Sequence, residues 1–381
     1  MQGSYDFIIA GCGCAGLSLA VHLIHSGKFR DKKILLVDSS EKKENDRTWC
    51  FWEKSPGLFE SILFKKWSTA WFHGTKGYSR MLHLDPYTYK MIRGIDFYNH
   101  CFGLINQQTN ISFCSGSISR IGEEEGKPYI HLGERKIYCS YLFNSILFEK
   151  PRLRQGEYYL LQHFLGWIII TDKGCFQEDA PTLMDFRTGQ QEGTTFGYVL
   201  PFSSSNALVE YTLFSKEILS PAEYEAGLRK YINQVLRPSH FEISEREFGI
   251  IPMTNHRFKT HEGNIIHVGT AGGQTKASTG YTFRNIQNHS AAIVSRLARG
   301  LHPVSERSGV SRRFRFYDSV LLNILSEGSM PGSEIFTTLF KKNKPALVLK
   351  FLDNETSLPE ETRILATLPT LPFLKAAARH L

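Results

Sequence analysis

Three glycines, Gly11, Gly13 and Gly16, stand in the segment YDFIIAGCGCAG at G-x-G-x-x-G spacing. That spacing suits a pyrophosphate. The first glycine permits a tight turn, the second lets backbone N–H groups approach the phosphates, and the third lets the following helix pack close to its strand. Asp38 ends a second apolar run about 20 residues further on, where a carboxylate accepts the ribose hydroxyls of an adenosine. A second glycine-rich segment, Gly269-Thr270-Ala271-Gly272-Gly273, follows the apolar run Asn264 to Val268. A strand, a glycine turn and a helix N-terminus form a second anion site, with Gly269, Gly272 and Gly273 in the turn. Glu210 is a different signal: it is the one charge in the apolar stretch LVEYTLF. A carboxylate on a buried strand face is costly unless it has partners or a role in proton transfer. On an outward face it is unremarkable, and alternation alone leaves the face open.

The elements that must hold these residues are legible in outline. Phe7 to Ala10 and Ile34 to Val37 read as buried strands, joined by a helix with Leu17, Leu19, Ala20, Leu23 and Ile24 at helical spacing. A charged loop leads to Arg47-Thr48-Trp49-Cys50-Phe51-Trp52. Trp49 and Trp52 either line a site or pack in the core. Residues 60–100 mix short strands and turns. Ile111 to Phe113, Tyr129 to Leu132 and Ile137 to Phe143 read as strands. From 150 to 255 the rhythm changes to short alternating strands, an antiparallel sheet, with an amphipathic helix over Pro221 to Val235. A further helix is expected to start near Ser278 to Tyr281, capped by Ser278 or Thr279. Residues 311–381 read as mostly helical, with a break at Pro331-Gly332 and an apolar, proline-broken tail that either docks on lipid or covers the core.

The chain has 381 residues, enough for two intimately packed domains. Aromatic residues reach 13%, with 27 Phe, 16 Tyr and 5 Trp. This fits a large apolar cavity or docking surface as well as a Phe-rich core. The formal net charge of +8 suits an anionic cofactor and an anionic membrane surface. No basic run with interleaved aromatics points to nucleic acid. Seven scattered cysteines show no zinc spacing with histidine, so no metal site and a reducing, cytoplasmic setting are expected. Residues 7–24 carry no charge, but the glycine fingerprint explains them better than a signal segment, and no basic segment precedes them. No window is long and apolar enough to span a bilayer.

Two glycine centres in one chain are the pattern of an FAD protein whose second turn reaches the flavin end. The remaining motifs resemble the FAD-dependent lycopene β-cyclases of carotenoid biosynthesis. They are Arg47-Thr48-Trp49, Gln162-His163-Phe164-Leu165-Gly166-Trp167, Leu183-Met184-Asp185-Phe186-Arg187, Glu210-Tyr211-Thr212 and Gly249-x-Ile251-Pro252-Met253. The block from Gly269 to Phe283, including Lys276 and Ser278-Thr279-Gly280-Tyr281, is the most specific, with the LMDFR block. Phe316-Tyr317-Asp318 and Phe351-Leu352-Asp353-x-Glu355-Thr356-Ser357 extend the likeness to the C-terminal region. Two positions depart from the family: Ala277 replaces a usual proline, and Asn144-Ser145 replaces a frequent Asp-Ser. Thr270 replaces the aspartate of many other two-domain flavoproteins, which argues against an ordinary flavin hydroxylase.

The resemblance implies an α/β, two-domain, FAD-binding Rossmann-type flavoprotein with an antiparallel-sheet substrate domain and a helical C-terminal region. Residues 1–59, 101–149 and 256–310 would form the FAD domain, 60–100 and 150–255 the substrate domain, and 311–381 the helical region. Gly11, Gly13, Gly16, Asp38, Arg47, Gly269, Gly272, Gly273 and Lys276 would hold FAD. Reduced FAD would be the active form, with NAD(P)H as a reductant. The implied reaction is a non-redox cyclisation. An acid protonates C2 of the acyclic ψ end group of lycopene or a related carotenoid, the ring closes, and a C6 proton leaves. Glu210 is the first choice for the acid/base carboxylate and Glu247, just before the Gly-x-Ile-Pro-Met turn, the second. Trp49, Trp52, Phe186 and Tyr281 would line the polyene pocket. Peripheral attachment to a membrane surface follows from an insoluble substrate. The competing readings are an FAD-dependent hydroxylase, an isoprenoid-chain reductase of the same fold, and a carotenoid carrier that keeps FAD structurally.

Overall fold

The structure, a computed structural model, describes residues 4–305 and 312–380. The chain begins with β1 (Tyr5–Ala10), α1 (Cys14–Ser26), β2 (Ile34–Asp38) and β3 (Thr48–Glu53). Four short strands follow: β4 (Lys65–Trp67), β5 (Thr69–His73), β6 (Ser79–His83) and β7 (Thr88–Arg93). Next come α2 (Gly94–Ile105), β8 (Ile111–Ser115), β9 (Ile118–Glu124), β10 (Lys127–Leu132) and β11 (Arg135–Asn144). The central part holds β12 (Tyr159–Thr171), β13 (Thr182–Asp185), β14 (Thr194–Pro201), β15 (Asn206–Ser215), α3 (Pro221–Tyr231) and β16 (Phe241–Thr254). After β17 (His261–Glu262) and β18 (Ile265–His267) the chain turns helical. The helices are α4 (Phe283–Leu297), α5 (Arg312–Glu327), α6 (Gly332–Lys342), α7 (Pro345–Leu352), α8 (Leu358–Leu365) and α9 (Thr370–Ala378).

The first sheet runs β17-β18-β11-β1-β2-β8, with β10 and β9 continuing from β11. β1 pairs in parallel with both β2 and β11. Its apolar run is continuous because both faces are covered. Phe7 and Ile9 enter one core with α1 and α4, while Ile8 and Ala10 enter another with Leu35, Ile130 and Leu142. β3, β7 and β4 form a small separate sheet.

α2 is not among the sequence expectations. Its segment GIDFYNHCFGLI is rich in aromatic and β-branched residues, which are mediocre helix formers. The helix draws on packing instead: Phe97, Tyr98, Cys101 and Ile105 join the core that holds Leu17, Val21 and Leu23 of α1. The domain boundary expected between 100 and 101 therefore falls inside an element that packs on α1. The boundary expected between 310 and 311 lies outside the described residues.

The second sheet runs β16-β12-β15-β14-β13-β5-β6 and is antiparallel except where β13 meets β5. β12 is its long spine, paired with β15 on one side and β16 on the other. One face carries Trp167, Ile169 and Val209 against Leu228, Tyr231 and Ile232 of α3 and the turn after it. Ser220 and Glu223 form a capping box that starts α3, worth about 1 kcal/mol. The helix expected to reach Val235 ends at Tyr231 and continues as one π turn over Ile232–Leu236. The other face of the sheet is roofed by α6 and α7. Phe336, Phe340 and Leu349 share a core with Phe72, Phe186, Phe196 and Phe214. α9 covers part of the core, with Ala376 packed against α5, while Leu371 and Leu374 stay exposed.

Candidate active site

The glycine fingerprint sits in the turn between β1 and α1. Gly11 has φ +90, and a Cβ there would stand 2.3 Å from Ser145 Oγ. A Cβ on Gly16 would stand 2.0 Å from the Gly11 carbonyl oxygen, so the missing side chain permits helix and strand to pack closely. Gly13 differs: among the described residues nothing lies within 4 Å of its Cβ position. The position faces open space. Asp38 ends β2 beside this turn. Its carboxylate accepts the Cys12 backbone N–H (2.6 Å) and the Ser40 N–H (2.8 Å), with Lys42 Nζ at 3.2 Å. The second glycine turn meets the first. Gly269 has φ +62, and a Cβ there would lie 2.7 Å from the Ala15 Cβ. Gly272 and Gly273 serve the turn itself, since a Cβ on Gly272 would strike the His267 carbonyl oxygen at 2.2 Å and Gly273 has φ +73.

From this point a single cavity of about 400 Å³ opens, within the usual range for small-molecule sites. Gly13, Ala15, Ser145, Gly269 and Thr270 line its glycine end. Glu210 and Glu247 line the other. Gln162 Oε1 and Thr279 Oγ1, both on its wall, are buried without a hydrogen-bond partner among the described residues. Buried polar atoms are normally paired, so these two point to a bound molecule with polar groups of its own.

The carboxyl end is organised by register. Gly166 of β12 lies opposite Glu210 of β15 and opposite Glu247 of β16. Tyr198 of β14 lies opposite Glu210 in turn. Directly opposed residues share a face, so Glu247, Gly166, Glu210 and Tyr198 form one row across four strands. Gly166 is the gap in that row: a Cβ there would lie 3.1 Å from Glu210 Cγ and 3.0 Å from Leu208 Cδ1. Glu210 faces the cavity, which answers the question that alternation left open.

The two carboxyls have different surroundings. Glu210 is buried on an interior strand, and burial, with Glu247 next, pushes its pKa well above the usual carboxylate range. Thr212, two residues along the same face, favours the ionised form, but among the described residues no hydrogen bond of good geometry reaches the Glu210 carboxyl. Glu247 keeps some exposure on the edge strand, yet enough of it is enclosed that burial raises its pKa too. Here Thr48 works against burial: its N–H donates to Oε1 at 2.9 Å and its hydroxyl to Oε2 at 2.7 Å. Arg47 adds a nearby positive charge. The tyrosine hydroxyls of Tyr198 and Tyr281 both meet that of Tyr89, the second at 2.9 Å.

Trp49, Trp52 and Tyr281 line the cavity as expected residues of the pocket, with Trp52 edge-on to Tyr281 at 4.5 Å. Arg47 also reaches the wall and donates to the Asp46 carbonyl oxygen at 2.6 Å. Three expectations need correction. Phe186 lies behind the wall, stacked on Phe336, and does not itself line the cavity. The Lys276 ammonium is buried between Asp318 (2.6 Å) and Asn354 (2.7 Å), so it ties its loop to the C-terminal helices and not to a cofactor phosphate. The helix expected near Ser278 to Tyr281 is α4 and starts at Phe283; neither Ser278 nor Thr279 caps it, and 278–282 form the connection that carries Tyr281. Arg284 adds a second tie, to Asp353 and to Glu355 at 2.5 Å. Gly166 and the role of Thr48 were missed. A glycine within the apolar run of β12 was the available signal for a close approach. Among the described residues no group of His, Cys, Asp and Glu is arranged to hold a metal, and no helix is long and apolar enough to cross a membrane.

A parallel nucleotide-type sheet joined to an antiparallel sheet with a cavity between them is the architecture of the FAD-binding Rossmann-type flavoproteins. Solved structures bear this out. The chain is similar to the flavin-dependent brominase Bmp2 (TM-score 0.62, 8% identity, 92% of this chain and 94% of that one). It is similar to a geranylgeranyl bacteriochlorophyll reductase-like protein from Thermoplasma acidophilum (TM-score 0.58, 13% identity, 98% and 96%). The model of the lycopene cyclase protein family matches residues 6–378, and the chain belongs to that family. It is 25% identical over 331 residues to the chloroplastic neoxanthin synthase of Solanum tuberosum. That match covers 79% of this chain and spans 62% of the relative's length.

Proposed function

We propose that this protein is a lycopene β-cyclase, converting acyclic ψ end groups of lycopene to β-ionone rings without net redox change. The observation that carries the reading is Glu210: a buried carboxyl on the wall of a largely apolar cavity that also opens onto Gly13. Family membership over nearly the whole chain supplies the substrate class.

FAD fits the glycine end. The open Cβ position of Gly13 leaves room for the pyrophosphate, Asp38 stands at the adenosine side, and Gly269 with Thr270 borders the flavin side. Arg47 is placed to add charge near the cofactor. Bound in its reduced form, FAD supplies a fixed negative charge beside the cation that forms during cyclisation. NAD(P)H is the proposed reductant. The protein's own residues do the rest. Burial favours the protonated form of Glu210, the form that can deliver a proton to C2 of the ψ end group. Trp49, Trp52 and Tyr281 exclude water and offer π faces to the cation. Dryness matters because water would capture the cation as an alcohol.

A polyene this insoluble must come from a bilayer. We propose peripheral attachment on the cytoplasmic side through exposed apolar residues: Phe248 and Ile250 on β16 at the cavity's edge strand, and Leu371 and Leu374 on α9. Expression in a lycopene-producing host, followed by pigment chromatography, tests the function. β-Carotene or γ-carotene is the expected product, and unchanged lycopene contradicts the reading.

A further inference from the structure

We infer that Glu210 and Glu247 divide the proton chemistry, with Glu210 as the acid that starts cyclisation, Glu247 as the base that ends it, and Gly166 as the gap that couples them. The inference rests on the cyclase reading and deepens it.

Three observations carry it. Both side chains line the same cavity, and both flank the same residue, Gly166, in one row of the sheet. Gly166 has no side chain to separate them, and even a methyl group there would lie within 3.1 Å of Glu210 Cγ and 3.8 Å of Glu247 Cβ. Their hydrogen bonding is opposite in kind. Glu247 receives two donors from Thr48, which favours a carboxylate. Glu210 receives none of good geometry, which favours the neutral acid in a buried site. Two carboxyls whose environments separate their proton affinities are the usual arrangement for an acid and a base working side by side. Burial raises the proton affinity of both, and the charge of ionised Glu247 raises that of Glu210 further.

The step balances. The Glu210 proton adds to C2, the C1=C2 electrons form the new C–H bond, and C1 becomes cationic. The C5=C6 electrons form the C1–C6 bond and leave the cation at C5. The Glu247 carboxylate takes the C6 proton, and the C–H electrons form the new C5=C6 bond. The product is an isomer of the substrate. Glu247 is then protonated and Glu210 ionised; the pair resets by proton transfer across the Gly166 gap and by exchange with solvent at the partly exposed Glu247 between turnovers, so no net acid is consumed. A single carboxyl acting as both acid and base would need to serve C2 and C6 in turn. The row removes that requirement.

The division of roles gives different phenotypes for two isosteric variants. In flavin-loaded protein with lycopene, Glu210→Gln should lower ring formation of every kind by about 10² to 10⁴. Glu247→Gln should still protonate and close the ring, but the cation should lose its proton elsewhere, from C4 or the C5 methyl group, or be captured by water. Misplaced double bonds or an alcohol are therefore expected. Only β-rings at near wild-type rate from Glu247→Gln would overturn the assignment. Thr48→Val removes one donor from Glu247 and should move the acidic limb of the turnover pH profile upward by about 1 unit; an unmoved limb contradicts the role of Glu247 as base. A readout independent of turnover is the infrared carbonyl band of a protonated carboxyl in the flavin-loaded protein at neutral pH, compared in H2O and D2O. The band should vanish in Glu210→Gln and persist in Glu247→Gln. Loss in Glu247→Gln alone, or in neither variant, overturns the inference. Absence of ring products from the wild type would instead defeat the cyclase reading, and the band would still report where the proton resides.

Discussion

Gly13 lines the cavity and Gly166 lies between the two carboxyls that line it, and the two are glycine for opposite reasons. At Gly13 nothing stands within 4 Å of the absent Cβ; at Gly166 Leu208 and Glu210 stand at 3.0 and 3.1 Å. One glycine leaves room for a molecule the chain must bind. The other leaves room for the chain's own carboxyls. The fold around both is shared with structures at 8% and 13% identity, so the fold alone does not choose the reaction. The choice has to come from the site, and in this chain the carboxyls of the site stand in the row across β16, β12, β15 and β14.

The comparison can be broken most sharply at Gly13. Gly13→Val should push a side chain into the pyrophosphate path and abolish FAD binding, read by flavin absorbance of the purified protein. Stoichiometric flavin in that variant would remove the basis of the glycine end. Next in size is Glu210→Gln. FAD content and folding should survive while lycopene conversion falls by about 10² to 10⁴, as for loss of a general acid. Near-normal turnover would mean that Glu210 is only structural. Gly166→Ala should be milder still: flavin retained, turnover lower by about 10-fold to 100-fold because the carboxyls are displaced by a fraction of an ångström. Loss of flavin in Gly166→Ala would mean that the two ends are not separable.

The smallest effect is on stability, and its sign is set by burial. The folded state raises the proton affinity of Glu210. Well below the unfolded glutamate pKa of about 4.3, both folded and unfolded chains hold the proton, and the site has little effect. As pH rises through the unfolded value toward the higher folded one, the folded state loses stability relative to the unfolded, and above the folded pKa the penalty is complete. Glu210→Gln carries no such penalty. Its Tm should therefore match the wild type in acid and exceed it in alkali, by a few degrees at most. An advantage confined to acid pH would contradict a buried, proton-holding Glu210.

The sequence made the glycine end legible because its constraints are local. Gly11, Gly13, Gly16 and Asp38 lie within one strand-turn-helix-strand unit: Gly11 has the positive φ of its turn, Gly16 answers a contact with the Gly11 carbonyl oxygen, and Gly13 leaves open space beside them. The carboxyl end was only partly legible. Glu210 stood out as a charge in an apolar strand, but its direction depended on the pairing of β15 with β12 and β14. Gly166 and Glu247 acquire meaning only once two neighbouring registers are fixed. Lys276 was misread for a related reason. Its motif lies near the second glycine turn, but its partners, Asp318 and Asn354, come from the distant C-terminal region. Phe186 belongs to a motif of the family yet packs one layer behind the wall. α2 escaped because its composition is poor in strong helix formers and its stability comes from contacts with α1.

The central claim is a proton-driven, redox-neutral ring closure, and one measurement addresses it directly. Purified protein with reduced flavin would be incubated anaerobically in D2O with lycopene in anionic liposomes, and products analysed by mass together with NAD(P)H consumption. The account predicts β-rings that each carry one deuterium at C2, with no stoichiometric consumption of NAD(P)H. A hydroxylated or saturated product formed with matching NAD(P)H consumption, or cyclic product without deuterium at C2, would contradict it.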